Sequence, residues 1–289
     1  MRMEGSRTAQ SSAAQRALHT LHAHEPKIFE DPFALGLAGP MWRWIVGPPT
    51  TAWLFQKAYG WLMPMVGHHL ARARYVEERL DEMLNDGLGQ YVLLGAGMDS
   101  FALRRPDLAS RLKVFEVDHP GTQAWKRARL KQLNHDEPSH VEYVGVDFER
   151  ESLADGLRRS GFSRESLSLF AWMGVIPYLS EESITATLRD LAANAPSGSE
   201  LVFDTLDRAV FGEGREKLVG RKMFAATEKL GEPLITGYDV SELDGLLAGA
   251  GLSLVEVKSP AEFTDQWFTR RKDGLEPWEH MYVARARVD

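Results

Sequence analysis

Two glycines and two acids carry the most specific chemical signal in this chain. Gly95 and Gly97 follow the apolar run at residues 91–94, and Glu116 and Asp118 end the next apolar run. Glycines at such a turn let a ligand approach the backbone, and an acid about 20 residues further on can accept hydrogen bonds from both hydroxyls of a ribose. The spacing therefore predicts a nucleotide-cofactor half-site in an open α/β sheet.

The residues after the glycine turn discriminate between two cofactors. A dinucleotide fingerprint requires a third glycine beside the pyrophosphate, but Met98, Asp99 and Ser100 follow Gly97 here. The carboxylate of Asp99 would also repel a pyrophosphate at a helix N-terminus. S-adenosylmethionine has no phosphate, and acids and backbone carbonyls suit its sulfonium and ammonium groups. The turn therefore favours S-adenosylmethionine over NAD.

Composition excludes several other classes of protein. The 289 residues carry a net charge of −7 and no cysteine, so disulfides, cysteine nucleophiles and thiolate metal sites are excluded. No basic stripe of the kind that binds nucleic acid is present. The first fifteen residues are polar, and prolines and charges interrupt the apolar region at 41–70. We expect a cytoplasmic protein without a membrane span.

The glycine turn belongs to a regular alternation of strands and helices. We expect strands at 91–94, 113–117, 140–145, 168–172 and 200–205, with a closing pair at 252–258 and 280–286. Helices are expected near 6–24, 68–84, 98–104, 120–133, 150–159, 181–194 and 239–250, and Asp31-Pro32 should open one more. This order predicts a seven-stranded doubly wound α/β sheet at residues 86–289. Residues 1–85 should form a helical cap.

Several strings resemble the leucine carboxyl methyltransferase-like family of S-adenosylmethionine-dependent enzymes, especially its bacterial branch. They are SRTAQSSAAQRAL, FEDPFALGLAG, ARARYVEERL, YVLLGAGMDSFALR, VFEVDHPGTQAWK, YVGVDF and WMGVIPYLSEE, and they are spread over most of the chain. The resemblance implies a Rossmann-like class I methyltransferase fold and a cap that closes the acceptor pocket.

The resemblance also implies roles for cofactor-binding residues. Arg72 would meet the cofactor carboxylate, for which its planar guanidinium suits a bidentate contact. Gly95 and Gly97 would pass under the methionine moiety. Asp118 is preferred for the ribose hydroxyls, and Glu116 points to the same face two residues earlier.

The third and fourth strands supply further candidates. Asp147 would bond the adenine amino group, and Phe148 would pack on the ring. Met173 stands where the family's eukaryotic pattern has a glutamate, so the cofactor ammonium would rely on carbonyls near Gly95 or on Asp99. Met173 could instead line the methyl-transfer channel as an adaptable apolar wall.

The acceptor side is less clearly marked. A carboxylate acceptor needs no base, whereas a hydroxyl is helped by one, usually a histidine. His119 lies beside the ribose acid, Tyr178 could hydrogen-bond the acceptor oxygen, and His68 and His69 read as surface or cap residues. The Trp-rich stretch at 41–61 is either cap core or a hydrophobic acceptor pocket. No metal-ligand or Ser-His-Asp constellation stands out.

Together these features predict an S-adenosylmethionine-dependent O-methyltransferase acting on a carboxylate or hydroxyl of a small hydrophobic metabolite. Protein C-terminal carboxyl methylation is an alternative, as is a methyltransferase fold that binds cofactor without transferring methyl. An NAD-dependent oxidoreductase is disfavoured by Ser100 in place of the third glycine.

Overall fold

A single mixed sheet organises the computed structural model, which describes residues 6–212 and 217–289. Its seven strands are β1 (Gln90–Leu94), β2 (Lys113–Asp118), β3 (Val141–Gly145), β4 (Ser168–Trp172), β5 (Glu200–Leu206), β6 (Leu252–Lys258) and β7 (Met281–Val288). Their order is β3-β2-β1-β4-β5-β7-β6, and β7 runs antiparallel between β5 and β6. The predicted strands and the predicted doubly wound sheet are confirmed.

Helices flank the sheet and precede it. They are α1 (Arg7–His22), α2 (Ala34–Ala38), α3 (Pro40–Val46), α4 (Pro49–Ala58), α5 (Met63–Asn85), α6 (Phe101–Arg104), α7 (Pro120–Gln132), α8 (Leu153–Arg158), α9 (Glu181–Asn194), α10 (Leu218–Leu230), α11 (Leu243–Ala248) and α12 (Pro260–Phe263). In these described parts of the chain, no helix is long and apolar enough to cross a membrane.

Alternate residues of a strand pack into two separate hydrophobic cores, one on each face of the sheet. In β1, Tyr91 and Leu93 pack in the core that α5 covers, whereas Val92 and Leu94 pack in the core beneath α8, α9 and α11. This alternation follows from the two-residue repeat of a strand. All five residues of β1 are buried, as expected for a parallel strand covered on both faces. The carboxyl ends of the parallel strands β1–β5 lie together at one edge of the sheet.

Helices α1–α4 form a smaller core that reaches the sheet domain. Ala13, Leu37 and Val46 pack there together with Met98 from the glycine turn. The Trp-rich stretch at 41–61 contributes only partly, because Trp44 is 77% exposed and Trp53 is 58% exposed. Neither prediction for this stretch, cap core or acceptor pocket, holds for Trp44 and Trp53, because both side chains are largely exposed.

Candidate cofactor and acceptor site

A cavity of about 650 Å³ lies at the carboxyl ends of β1–β4, between the sheet and helices α1 and α5. Ligands of open parallel sheets bind at this edge. Most of the predicted site residues line it: Arg72, Gly95, Gly97, Asp99, Asp118, His119, Asp147, Phe148, Met173 and Tyr178. The fold thus gathers residues from four strand ends and one cap-side helix around one space.

The glycine turn and the end of β2 are joined directly. Asp118 accepts hydrogen bonds from the backbone N–H of Gly97 at 2.5 Å and from that of His119 at 2.6 Å. Gly95 and Gly97 have φ angles of +70° and +50°, a region that L residues with a Cβ rarely adopt. A Cβ at Gly95 would also lie 2.3 Å from Cγ2 of Val175. The turn therefore requires glycine for both conformation and space.

The second acid of β2 occupies a different environment. Glu116 is buried and pairs with Lys126 of α7, with 2.6 Å between Oε2 and Nζ. It does not line the cavity, because it lies two residues before the strand end and α7 covers it. Burial raises the pKa of Glu116, and Lys126 opposes that shift. Asp118 is therefore the acid of this pair that faces the cavity.

Arg72 is held by groups that the sequence did not indicate. On α5, its Nη1 donates to Asp204 of β5, which also accepts from Nε2 of His68 at 2.9 Å and from the N–H of Gly174 at 2.5 Å. Burial by itself would raise the pKa of Asp204, but Arg72 and His68 hold it below its usual range. Asp204 belongs to no recognisable sequence motif, so its contact with Arg72 is visible only in the three-dimensional structure.

His68 and His69 are not on the surface, which corrects the expectation from sequence. His68 is 0% exposed and His69 is 8% exposed, because the buried face of α5 includes both residues. His69 lines the cavity, and its Nδ1 has no hydrogen-bond partner among the described residues. Burial, together with Arg72, holds the pKa of His69 well below its usual range. The ring is thus a neutral polar group at pH 7.

Apolar side chains also line the cavity. Met173 lines it while packing against the core that α5 covers. Tyr178 lies in a short 3₁₀ turn after β4, and burial raises the pKa of its phenol. Phe29 and Ile235 also line the cavity. The lining therefore contains a neutral hydroxyl, that of Tyr178, as well as apolar side chains.

His119 has a capping role at the start of α7. Its Nδ1 accepts the backbone N–H of Gly121 at 3.1 Å. Because this bond uses the lone pair on Nδ1, the neutral ring carries its proton on Nε2. In this arrangement His119 can donate a hydrogen bond toward the cavity but lacks a free lone pair to act as a base.

Two further acids combine a turn contact with a cavity position. Asp99 accepts the N–H of Phe101 at 2.7 Å, and Asp147 accepts that of Glu149 at 3.2 Å. Both aspartates line the cavity, and Phe148 lies beside Asp147 in its wall. Each contact fixes a carboxylate at a strand end through a local turn.

Residues 9–192 match the family described as leucine carboxyl methyltransferase. The chain belongs to this family. It is therefore an S-adenosylmethionine-dependent methyltransferase with S-adenosyl-L-methionine as its cofactor, as the strand and glycine pattern predicted.

Relatives of this leucine carboxyl methyltransferase family member come from several bacteria. It is 38% identical over 220 residues to YktD of Bacillus subtilis (strain 168), whose name describes a candidate S-adenosyl-L-methionine-dependent methyltransferase; the match covers 75% of this chain and 71% of YktD. A similarly named protein of Mycobacterium avium (strain 104) is 30% identical over 218 residues, covering 72% and 68% of the two chains.

One solved structure supports the fold. A DUF574 family protein from Streptomyces avermitilis has a TM-score of 0.58 at 16% identity, covering 96% of this chain and 97% of that one.

The lining of this methyltransferase cavity fits the cofactor's chemical groups. S-adenosylmethionine presents a carboxylate, cationic ammonium and sulfonium groups, and a ribose. The wall offers a guanidinium at Arg72 and carboxylates at Asp99 and Asp118. Gly95 and Gly97 line the same cavity. The charges therefore have the signs that the cofactor requires.

Proposed function

We propose that this protein methylates an oxygen atom, in a carboxylate or a hydroxyl, of a small hydrophobic metabolite. The observation that carries the proposal is the cavity lining, which combines the apolar side chains of Met173 and Phe29 and the phenol of Tyr178 with the polar groups proposed for the cofactor. An apolar acceptor would gain burial there, at about 25 cal/mol per Å² of apolar surface removed from water.

The cofactor assignments follow the cavity wall. Arg72 binds the carboxylate of S-adenosylmethionine, Asp118 binds the ribose hydroxyls, and Asp99 is the acid available to its ammonium. Asp147 accepts from the adenine amino group while Phe148 packs on the ring. These roles are supported by residue type and by the shared cavity.

The chain's own contribution to the reaction is orientation and exclusion of water. Bound S-adenosylmethionine supplies an electrophilic methyl group. Tyr178 donates a hydrogen bond that fixes the acceptor oxygen, and its raised pKa keeps the phenol protonated. His119 donates through Nε2 at the ribose side. A carboxylate acceptor needs no base, whereas His69 would be a poor base for a hydroxyl, because burial and Arg72 hold its pKa well below its usual range.

Incubation with S-adenosylmethionine carrying a tritiated methyl group tests this proposal. The acceptors would be a panel of medium-chain carboxylic acids and substituted phenols, with a bacterial protein extract as a separate acceptor. We expect label in an organic-soluble product; mild base releases methanol from an ester but leaves an ether intact. Label confined to protein bands would instead indicate carboxyl methylation of a protein.

Tyr178→Phe provides the matched variant for the acceptor role. It removes one hydroxyl but keeps the ring, so cofactor affinity should stay within about twofold. Because one hydrogen bond contributes about 0.5–1.5 kcal/mol, methyl transfer should slow roughly twofold to tenfold. Unchanged transfer with an acceptor that the wild type uses would remove Tyr178 from the mechanism.

A further inference from the structure

We infer that Asp204 and His68 are positioning residues that hold the guanidinium of Arg72 where it meets the cofactor carboxylate. The inference rests on the proposed role of Arg72. It assigns a function to two buried residues that do not themselves line the cavity.

The three side chains form one contiguous network between α5 and the sheet. His68 and Arg72 lie four residues apart on α5 and so share a face of that helix. Both contact Oδ2 of Asp204 in β5. The side chains of His68 and Asp204 are 0% exposed, whereas that of Arg72 is 11% exposed and reaches the cavity.

The protonation states of the network are fixed by its contacts. Asp204 is ionised, because Arg72 and His68 hold its pKa below its usual range despite burial. An ionised carboxylate only accepts hydrogen bonds, so Nε2 of His68 must be the donor. Nδ1 of His68 has no partner in the described part of the chain, and burial lowers the pKa of the ring. The network thus joins a neutral histidine to a balanced pair of charges.

Gly174 connects this network to the cavity wall. Its N–H donates to Oδ1 of Asp204 at 2.5 Å, while Oδ2 holds the arginine. A Cβ at Gly174 would lie 2.9 Å from both Nη1 and Nη2 of Arg72, and the glycine has a φ of +71°. One carboxylate therefore fixes both the arginine and the turn after β4 against which it lies.

Stability alone is a weak reason for such a network. Replacing a buried ion pair by apolar residues is often neutral or stabilising, because two charges must be removed from water. Preorganisation gives a functional reason, since an arginine already fixed before binding loses less conformational freedom when it meets the ligand. If preorganisation is the reason, disrupting the network should weaken the binding of ligands that carry the amino-acid carboxylate and leave the binding of other ligands unchanged.

Two ligands and two His68 variants separate positioning from folding. S-adenosylhomocysteine carries the amino-acid carboxylate, whereas 5′-methylthioadenosine retains the nucleoside and thioether but lacks both carboxylate and ammonium. We expect His68→Leu to weaken S-adenosylhomocysteine binding roughly fivefold or more while methylthioadenosine binding stays within about twofold. His68→Gln, whose amide can donate to Asp204, should restore most of the affinity.

Asp204→Asn is the stronger perturbation and should weaken S-adenosylhomocysteine binding roughly tenfold or more, again selectively. Calorimetric titration measures each constant, and circular dichroism checks that each variant is folded. If Asp204→Asn does not fold, the His68→Leu and His68→Gln pair decides. Equal weakening of both ligands, or no weakening in a folded His68→Leu variant, would overturn the inference.

Arg72→Met separates failure of this inference from failure of the proposed site. If Arg72→Met leaves S-adenosylhomocysteine binding unchanged, the assignment of Arg72 to the carboxylate is wrong. If it weakens that ligand selectively while the Asp204 and His68 variants do not, the assignment stands and the positioning role is wrong.

Discussion

The backbone N–H of Gly97 donates a hydrogen bond to the carboxylate of Asp118 at 2.5 Å. This contact joins the turn after β1 to the last residue of β2, which lies 21 positions further along the chain. Because the same carboxylate faces the cavity, the turn holds the proposed ribose acid in place before any ligand binds.

Asp118→Asn should weaken S-adenosylmethionine binding roughly tenfold to a hundredfold, because hydrogen bonds to a charged group contribute about 1.5–3 kcal/mol. Calorimetric titration measures the effect. The matched control removes the other acid of β2 together with its partner, as Glu116→Gln combined with Lys126→Met, and should retain binding within about threefold. A larger loss of affinity in the control than in Asp118→Asn would reverse the assignment.

Gly95→Ala should destabilise the protein through two separable effects. A left-handed conformation costs a residue with a Cβ about 1–2 kcal/mol, and overpacking against Val175 adds about 1–3 kcal/mol. Val175→Ala in the same chain should recover the second contribution but not the first. Urea unfolding of the two single variants and the double variant measures this coupling; simple additivity would show that the Val175 contact is relieved by other movements.

The sequence predicted the sheet well because each strand carries its own local signal. Apolar runs bounded by turns placed all seven strands to within two residues, and the helices at Pro120–Gln132 and Glu181–Asn194 were placed similarly well. The half-site at Gly95, Gly97 and Asp118 was visible because its spacing follows from one strand–turn–strand unit.

The parts that depend on distant packing could not be predicted in this way. Asp204 reads as an ordinary strand residue until β5 is placed next to β4 and beneath α5. His68 and His69 gave no sign that their helix face is buried. The helix at Leu218–Leu230 was not predicted, and the exposed Trp44 contradicts the rule that tryptophan is buried. Such features follow from tertiary contacts.

Gly67→Ala should destabilise the protein although alanine favours helices. A Cβ at Gly67 in α5 would lie 2.3 Å from the backbone carbonyl oxygen of Glu276, and a backbone atom cannot rotate away. Overpacking of this kind costs about 1–3 kcal/mol. Gly60→Ala is the control, because a Cβ there meets nothing within 4 Å. Thermal unfolding of the two variants should separate them; equal midpoints would show that the segment at Glu276 yields readily.

His19 should make stability fall in mildly acidic solution. Its Nε2 accepts the N–H of Ile28 at 3.0 Å, and burial, followed by the charge of Arg271, lowers its pKa from 6.5 to about 4. Between pH 6.5 and pH 4 the unfolded chain therefore binds more protons than the folded one. The contribution of neutral His19 to the free energy of unfolding is complete above pH 6.5 and is lost as the pH falls toward 4. The lowering of the pKa corresponds to about 3 kcal/mol of stability. His19→Gln should keep an acceptor for Ile28 without titrating, so urea unfolding at pH 8 and pH 5 should show a smaller loss in the variant. Other buried histidines titrate in both proteins, so an equal loss in both would rule out His19 as a source of the acid sensitivity.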